Sequence, residues 1–379
     1  MREGWTYKTL GQISQVITKG TTPTTIGYNF TDNGINFIKI ECIDANRKLI
    51  KDKLNFISEE CNNSMIRSQL QEKDLLFSIA GALGRIYIVE KSVLPANTNQ
   101  ALAIIRLSDK QDLFLLYLSY FLNSNTIKRQ IEKDKVGVAQ INLSLGQIKN
   151  FIIPIPSIAE QERIVSELDL LSGIIEKKKE QLKEYDKLAQ SIFYDMFGDP
   201  VENKKGWEQQ PFYSICKSLF AGGDVPKDNF SKTKTEKYNV PIISNGINDK
   251  AIYGYTNIAK VEEDSLTISG RGTIGYCAIR KEPFFPVIRL IVATPKQDII
   301  LPIVLKYIID SLNLKGEGVA IPQLTIPKVK NELIILPPLS LQQSFAEKVE
   351  AIEKQKTLIQ QSITETETLF NSRMNYYFN

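Results

Sequence analysis

The sequence predicts an α+β protein in which two globular domains are joined by two long coiled-coil helices. Three observations indicate this architecture. A heptad spacing of apolar residues occurs over residues 158–197 and again over residues 339–379. A proline-bounded apolar run precedes each segment, and the motifs before the first segment recur before the second. Two seams of equal length can cover each other, which predicts an intramolecular pair about 60 Å long.

We divide the chain at the ends of these helices. The predicted globular domains are residues 1–157 and 201–338, and the predicted helices are residues 158–200 and 339–379. The seam predicted for the first helix consists of Ile164, Leu168, Leu171, Ile175, Lys178, Leu182, Tyr185, Ala189, Ile192 and Met196. The seam predicted for the second consists of Phe345, Val349, Ile352, Lys356, Ile359, Ile363, Thr366, Phe370, Arg373 and Tyr377.

Both globular domains repeat one order of elements. Each opens with a Gly-Trp pair and a short polar strand, at Gly4-Trp5 and at Gly206-Trp207. Further strands joined in part by Gly-x-x-Gly turns are predicted at 35–40, 74–79, 86–89 and 101–107, and again at 240–244, 265–269 and 277–279. A helix and a Gly-Val-Ala loop then follow, at 114–131 and 137–139, and again at 301–310 and 318–320. This duplication predicts an internal pseudo-twofold repeat.

Composition excludes several classes of protein. The 379 residues are enough for two domains with separate cores. No apolar run reaches the ~18 residues of a membrane span, and the first residues lack a signal-peptide core. The four cysteines are scattered without a Cys-x-x-Cys pair, which predicts a reduced, cytoplasmic protein without structural zinc.

Several catalytic motifs are missing from the sequence. It contains no histidine, which excludes Ser-His-Asp and Cys-His nucleophiles and histidine-type zinc sites. No glycine is followed by lysine, so there is no Walker A loop, and no Asp/Asn-Pro-Pro-aromatic motif of amino-methyltransferases is present. We predict no catalytic residue, no cofactor and no metal ion.

One glycine-rich motif resembles a dinucleotide-binding fingerprint only in the spacing of its glycines. Gly270, Gly272 and Gly275 have the right spacing, but residues 276–279 have the pattern of a strand. Phosphate binding requires a helix N-terminus at that point. The motif therefore predicts a tight turn that brings the backbone close to a neighbour.

Charge is distributed unevenly along the chain. The net charge is +4, but residues 159–199 hold six basic and ten acidic residues, and 339–379 hold four basic and five acidic. The positive charge thus lies on the globular domains, which fits contact with a polyanion. The same surplus is also ordinary for a soluble protein of this size.

With these motifs in place, the chain resembles the DNA specificity subunit of Type I restriction-modification enzymes. The resemblance is carried by the Gly-Trp openings, by the Gly81-x-x-Gly84 and Gly272-x-x-Gly275 hairpins, and by the junction Pro154-Ile155-Pro156 followed by residues 160–165, Glu-Gln-Glu-Arg-Ile-Val. The second junction departs from this pattern at Gln343 and Phe345.

This resemblance implies two mixed α/β target recognition domains on antiparallel spacer helices. It implies a subunit without catalysis of its own, which binds double-stranded DNA, two copies of the methyltransferase subunit and the restriction subunit. The DNA target would be two short blocks separated by a gap that the helices set. A fused restriction-modification enzyme is disfavoured by the missing motifs, while a coiled-coil adaptor that binds protein instead of DNA stays open.

Polar loops supply the predicted DNA contacts, since amides suit adenine and Arg or Lys suit guanine. In the first domain the predicted DNA-binding residues are Lys19, Thr21, Thr22, Asn97, Asn99, Gln140 and Asn142. In the second they are Lys227, Lys232, Lys234, Asn245, Arg271, Gln323 and Thr325. Loop variation without function is the alternative. Apolar residues at the helix ends are predicted either to bind partners or to cap the helix core, namely Phe193, Met196, Phe197, Tyr376, Tyr377 and Phe378.

Overall fold

The computed structural model describes residues 3–44, 46–108, 111–133, 142–247, 251–316 and 322–379. It divides into two compact units. The first unit consists of Met1–Lys177 with Ser362–Asn379, and the second of Lys178–Gln361. These boundaries fall inside the two long helices, so each helix contributes to both units. The division into four segments at the helix ends stays a prediction.

The first unit is a mixed α/β structure, with three small sheets among its described residues. Its elements are β1 (Thr6–Thr9), α1 (Leu10–Ile13), β2 (Ser14–Lys19), β3 (Ile35–Ile38), β4 (Asn55–Ile57), α2 (Glu59–Ser64), β5 (Leu75–Ser78), β6 (Ile86–Ile88), β7 (Ala96–Thr98), β8 (Leu102–Leu107), α3 (Asp112–Leu122), α4 (Asn125–Lys133), α5 (Leu145–Lys149) and β9 (Ile152–Ile155). The strand orders are β2-β8-β5-β6, β4-β3-β7 and β1-β9.

Strand β5 shows why the four-stranded sheet lies at the centre of this unit. Successive side chains of a strand point to opposite faces. Leu75 and Phe77 belong to the apolar cluster that contains Tyr117 of α3, while Leu76 belongs to the cluster that contains Ile38 of β3. The sheet is therefore covered by helix on one face and by the three-stranded sheet on the other.

The second unit repeats this order. Its elements are β10 (Glu208–Pro211), β11 (Cys216–Ala221), β12 (Val240–Ile243), β13 (Ile252–Thr256), β14 (Ser265–Ile268), β15 (Cys277–Arg280), β16 (Phe285–Pro286), β17 (Ile291–Pro295), α7 (Pro302–Ser311), α8 (Ile326–Val329) and β18 (Leu333–Leu336). The strand orders are β11-β17-β14-β15, β13-β12-β16 and β10-β18, strand for strand those of the first unit. The predicted internal repeat is confirmed.

Both predicted long helices are present and begin at the predicted residues, but α6 ends at Phe197 and not at residue 200. Helix α6 covers Ile158–Phe197 and helix α9 covers Leu339–Phe378. Each starts one or two residues after the last proline of the apolar run that precedes it. The residue before a proline is pushed out of helical geometry, so the helix begins only beyond the proline.

In the first unit the helices run antiparallel. Arg373 Nη2 donates to Glu167 Oε2 at 2.8 Å, and Arg163 Nη1 donates to the Tyr377 hydroxyl at 3.2 Å, so residue numbers rise along one helix as they fall along the other. The hydrogen bond from Arg373 lowers the pKa of Glu167.

The second unit has the same antiparallel arrangement. Phe345 packs on Phe193, with ring centroids 5.6 Å apart, and Lys356 Nζ lies 2.7 Å from Asp186 Oδ1. Burial acts against the charge of Lys356, but its hydrogen bonds with Asp186 and Glu353 outweigh burial and raise its pKa. This seam lysine therefore bridges the helices as a cation.

The predicted seam needs one correction at the end of α6. Phe193 and Phe197 are fully buried, whereas the predicted Ile192 and Met196 are half-buried. Tyr307 of α7 also packs against the long helices here. Its ring stacks on the ring of Phe193, with centroids 5.4 Å apart. Among the apolar residues at the helix ends, Phe193, Phe197, Tyr377 and Phe378 are buried within their units, while Tyr376 is 57% exposed.

Other predicted elements are confirmed in part. The helix predicted at 114–131 is two helices, α3 and α4, because an Asn-Ser-Asn run of residues with low helix propensity lies where they meet. A strand, β15, follows the Gly270 motif, as predicted. All four cysteines are unpaired and buried. Across the described ranges, no helix combines the length and apolar character that a membrane crossing needs.

Candidate nucleic-acid interface

Loops of the first unit converge at one end of its four-stranded sheet. The backbone N–H of Thr21 donates to Thr98 O at 3.2 Å, and Thr22 Oγ1 donates to Gln100 Oε1 at 2.5 Å. Glycine is required between β2 and this loop, since a Cβ on Gly20 would lie 1.8 Å from Thr98 O. The polar loop after β2 is therefore held against the loop after β7.

Two more segments join this cluster through Ile79. The Ile79 N–H donates to Ala101 O, and its carbonyl accepts from Leu143 N–H, both at 2.9 Å. Ile79 leads into the turn around Gly81, whose φ of +65° is left-handed. We call the segments 20–22, 79–84, 98–101 and 142–144 the first loop cluster.

Equivalent loops converge in the second unit. Ile288 N–H donates to Gly223 O and Arg289 N–H to Gly222 O, each at 2.9 Å. Leu324 N–H donates to Gly270 O at 2.9 Å. We call the segments 222–223, 245, 270–275, 286–290 and 322–325 the second loop cluster.

Asn245 holds the second loop cluster together. Its Oδ1 accepts from the N–H groups of Gly270 at 2.7 Å and Arg271 at 3.3 Å, and its Nδ2 donates to Ile288 O at 2.8 Å. A single amide thus ties the glycine turn to the segment before β17.

Arg271 and Gln323 are brought into direct contact. Arg271 donates from Nε at 3.3 Å and from Nη2 at 3.0 Å to Gln323 Oε1. Both side chains are half-buried, while Thr325 nearby is exposed. The arrangement presents a guanidinium and hydroxyl at the surface, groups suited to base edges and phosphates.

Most of the predicted first-domain residues lie in or beside the first loop cluster. Lys19 and Asn142 are exposed, and Thr21, Thr22 and Asn99 are half-buried. Gln140 lies outside the described residues, as do both Gly-Val-Ala loops.

The structure contradicts the predicted DNA contact of Asn97. It sits in β7, beside β3, with no exposed surface. Its Nδ2 donates to Asn62 Oδ1 at 2.9 Å and its Oδ1 accepts from Thr98 N–H at 2.9 Å. All three residues of β7 are buried, so the Asn97 amide is used inside the fold and is not available to a base edge.

The second-domain predictions divide into three groups. Arg271, Gln323 and Thr325 belong to the second loop cluster. Asn245 also belongs to it, but as a positioning residue, since its amide is engaged by backbone. The remaining three are exposed on the segment after Gly223 and form no hydrogen bond or ion pair among the described residues, namely Lys227, Lys232 and Lys234.

Two residues of the clusters are absent from the individual predictions. Gln100 belongs to the predicted amide loop and binds Thr22 directly. Arg289 is exposed in the middle of the second loop cluster. Its sequence context, Val287-Ile288-Arg289-Leu290-Ile291, reads as the start of an apolar strand. Aligning the two halves residue by residue would have placed it beside Arg271.

The chain is similar to known proteins of one family. The model of the Type I restriction modification DNA specificity domain matches residues 2–184 and 204–368. A putative type I specificity subunit of Mycoplasma pneumoniae is 30% identical over 190 residues, which are 49% of this chain and 56% of that protein. The EcoBI specificity subunit of Escherichia coli is 30% identical over 170 residues, 44% of this chain and 35% of that protein. The chain thus spans about half the length, or less, of these relatives.

A longer alignment covers nearly the whole chain. The putative MjaX specificity subunit of Methanocaldococcus jannaschii is 25% identical over 388 aligned positions, 93% of this chain and 87% of that protein.

Two solved structures share the fold. A chain from a structure of the assembly and conformational transition of the type I R-M system aligns with a TM-score of 0.60 at 18% identity, over 100% of this chain and 98% of that one. The specificity subunit from M. genitalium aligns with a TM-score of 0.53 at 14% identity, over 98% and 95%.

Proposed function

The chain belongs to the Type I restriction modification DNA specificity domain family, and on this premise we propose that it is the DNA-recognition subunit of a Type I restriction-modification complex. Its target is bipartite, with one short block read by each loop cluster. One observation carries this proposal. The same cluster of loops is built twice, on sheets of identical strand order, with different side chains in the two copies.

Base recognition is assigned to the loop clusters and general affinity to the exposed cations. Contacts to phosphates fix register, while side chains that reach base edges carry sequence choice. In the first unit the proposed contacts are Lys19, Thr21, Thr22, Asn99, Gln100 and Asn142. In the second they are Lys227, Lys232, Lys234, Arg271, Arg289, Gln323 and Thr325.

The partners follow from the same proposal. The subunit has no catalytic residue, cofactor or metal of its own and directs adenine methylation by two copies of the methyltransferase subunit. The restriction subunit joins the complex for cleavage. The place of action is the cytoplasm, where the DNA and these subunits meet.

Deletion of the gene is expected to abolish methylation at one split adenine motif with a fixed gap. Whole-genome mapping of methylated adenine, with and without the gene beside its methyltransferase, measures this. The purified chain should also bind the recovered motif with an affinity that falls steeply as salt rises, because phosphate contacts release counterions. Unchanged methylation together with salt-independent binding would favour the coiled-coil adaptor.

Lengthening the helix pair is expected to lengthen the gap. One heptad inserted after Leu182 in α6, with a matching heptad after Ile359 in α9, preserves the seam and adds about 10 Å of helix. We expect a gap about three base pairs longer, with both blocks unchanged, since base pairs rise about 3.4 Å. Whole-genome mapping of methylated adenine measures the length of the gap directly. Lys183→Ala, an exposed change in the same segment, is the control, and an unaltered gap in the insertion variant would contradict the ruler role.

A further inference from the structure

The two loop clusters can be compared position by position, because strand pairing sets their correspondence. In each unit the turn after β5 or β14 follows a strand that pairs antiparallel with β8 or β17. The equivalent pairs are Phe77 with Ile268, Ala103 with Ile291, Ala80 with Arg271, and Ala101 with Arg289. The hydrogen bonds agree, since Gly84 N–H to Ser78 O at 3.2 Å matches Gly275 N–H to Ser269 O at 2.9 Å.

The two loop clusters carry chemically different side chains at these equivalent positions. The first loop cluster has alanine at 80 and 101, where the second has Arg271 and Arg289. The first has the amides Asn99 and Gln100, where the second has Val287 and Ile288. The framework is thus conserved between the copies, while the groups able to bond a base edge are amides in one and guanidinium groups in the other.

The backbone conformation at residues 288 and 289 leaves the Arg289 side chain exposed to a ligand. Ile288 and Arg289 have left-handed φ angles of +53° and +57°. This conformation is costly for a β-branched residue such as Ile288 and persists only where the surroundings impose it. Here the N–H groups of both residues are held by the carbonyls of Gly223 and Gly222. The result is an exposed Arg289 side chain that forms no hydrogen bond or ion pair among the described residues.

Arg271 is held next to this segment. The amide of Asn245 bonds Arg271 N–H and Ile288 O together, so the two arginines leave neighbouring stretches of backbone. Gln323 Oε1 restrains the guanidinium through Nε and Nη2 and leaves Nη1 without a partner in the part of the chain that the structure describes. A restrained guanidinium loses less conformational freedom when it binds.

We propose that Arg271 and Arg289 are the guanine-reading residues of this chain, and that the DNA block bound by the second unit therefore contains guanine. A guanidinium donates two parallel hydrogen bonds to guanine O6 and N7, a match that no other base edge offers. The first unit, with alanine at both positions, reads its block with amides instead. This inference rests on the proposed function and adds a base class and one side chain, Arg289, to it.

Selection from a duplex library with a randomised central region tests the inference on the full chain. The variants are Arg271→Lys and Arg289→Lys, which keep the charge but lose the fork, together with Arg271→Ala and Arg289→Ala. Lys281→Ala is the matched control, because this exposed cation lies at the opposite end of the β14–β15 hairpin from the turn. Gln100→Ala marks the block that the first unit reads.

In the expected result the wild-type chain selects two blocks, and each Arg→Ala variant relaxes one guanine position in the block that Gln100→Ala leaves intact. Discrimination against other bases there should fall about 5- to 150-fold, the worth of one bidentate pair. Each Arg→Lys variant should relax the same position less, because a lysine can still donate to guanine. Lys281→Ala should leave both blocks unchanged. Equal loss of affinity for all sequences in the arginine variants, or a second block without guanine, would overturn the inference while the proposed function stands. A wild-type chain that selects no split motif would overturn the proposed function as well.

Discussion

Replacing Arg106 with Met is expected to lower the free energy of unfolding of the first unit by about 3–5 kcal/mol. Arg106 of β8 donates to both oxygens of Asp74, from Nε and from Nη2, each at 2.7 Å. The Asp74 side chain has no exposed surface, and that of Arg106 is 15% exposed. Removal of the cation leaves a carboxylate buried and uncompensated, which costs more than the pair itself contributes.

Tryptophan fluorescence during urea unfolding measures this effect. The sequence has two tryptophans, Trp5 in the first unit and Trp207 in the second, so a Trp207→Phe background lets Trp5 report the first unit. Lys48→Met is the matched control. It removes a surface pair with Glu176, in which the Lys48 side chain is 62% exposed, and should cost less than about 1 kcal/mol.

A double variant separates the charge from the packing. Arg106→Met combined with Asp74→Asn removes both charges and should recover much of the lost stability, because the neutral amide can still accept from Gln71 N–H. Equal instability of the single and double variants would show that packing, not the unpaired carboxylate, explains the loss.

Replacing Phe345 with Ala is expected to destabilise the second unit by about 3–5 kcal/mol, the usual range for removing a buried aromatic ring. Phe345 of α9 is fully buried and packs edge-on against Phe197 and Tyr307, with ring centroids 5.3 Å and 5.1 Å apart. Its removal opens a cavity where α6, α7 and α9 meet, and the rigid rings around it cannot collapse to fill the space.

Urea unfolding in a Trp5→Phe background, followed through Trp207, measures the second unit. Leu358→Ala on the same helix is the control, because that leucine is 56% exposed and should change stability by no more than about 0.5 kcal/mol. Phe345→Leu should fall between the two, since it keeps part of the apolar volume. A loss below about 1 kcal/mol for Phe345→Ala would contradict the placement of this ring in the core.

The duplication and both long helices are predictable from the amino-acid sequence without any structure. The repeat is visible in the order of glycine, tryptophan and apolar positions. The starts of α6 and α9 follow from the prolines before them, and their length follows from the heptad spacing within them. These signals are local, because helix periodicity and proline geometry depend on residues a few positions apart. The family resemblance has the same origin, since its motifs are short and continuous.

Which polar residues are available to a ligand depends on how the chain folds. Asn97 belongs to a polar run in the sequence, yet strand pairing buries it, whereas Arg289 belongs to an apolar run and is exposed by two left-handed residues. Asn245 is predicted from the sequence to contact DNA, but in the structure it is a positioning residue. Its amide bonds Gly270 and Ile288, which are distant from each other in the sequence. Such outcomes depend on long-range pairing, which local periodicity does not encode, and so the composition of the loop clusters emerges only when the sheets are assembled.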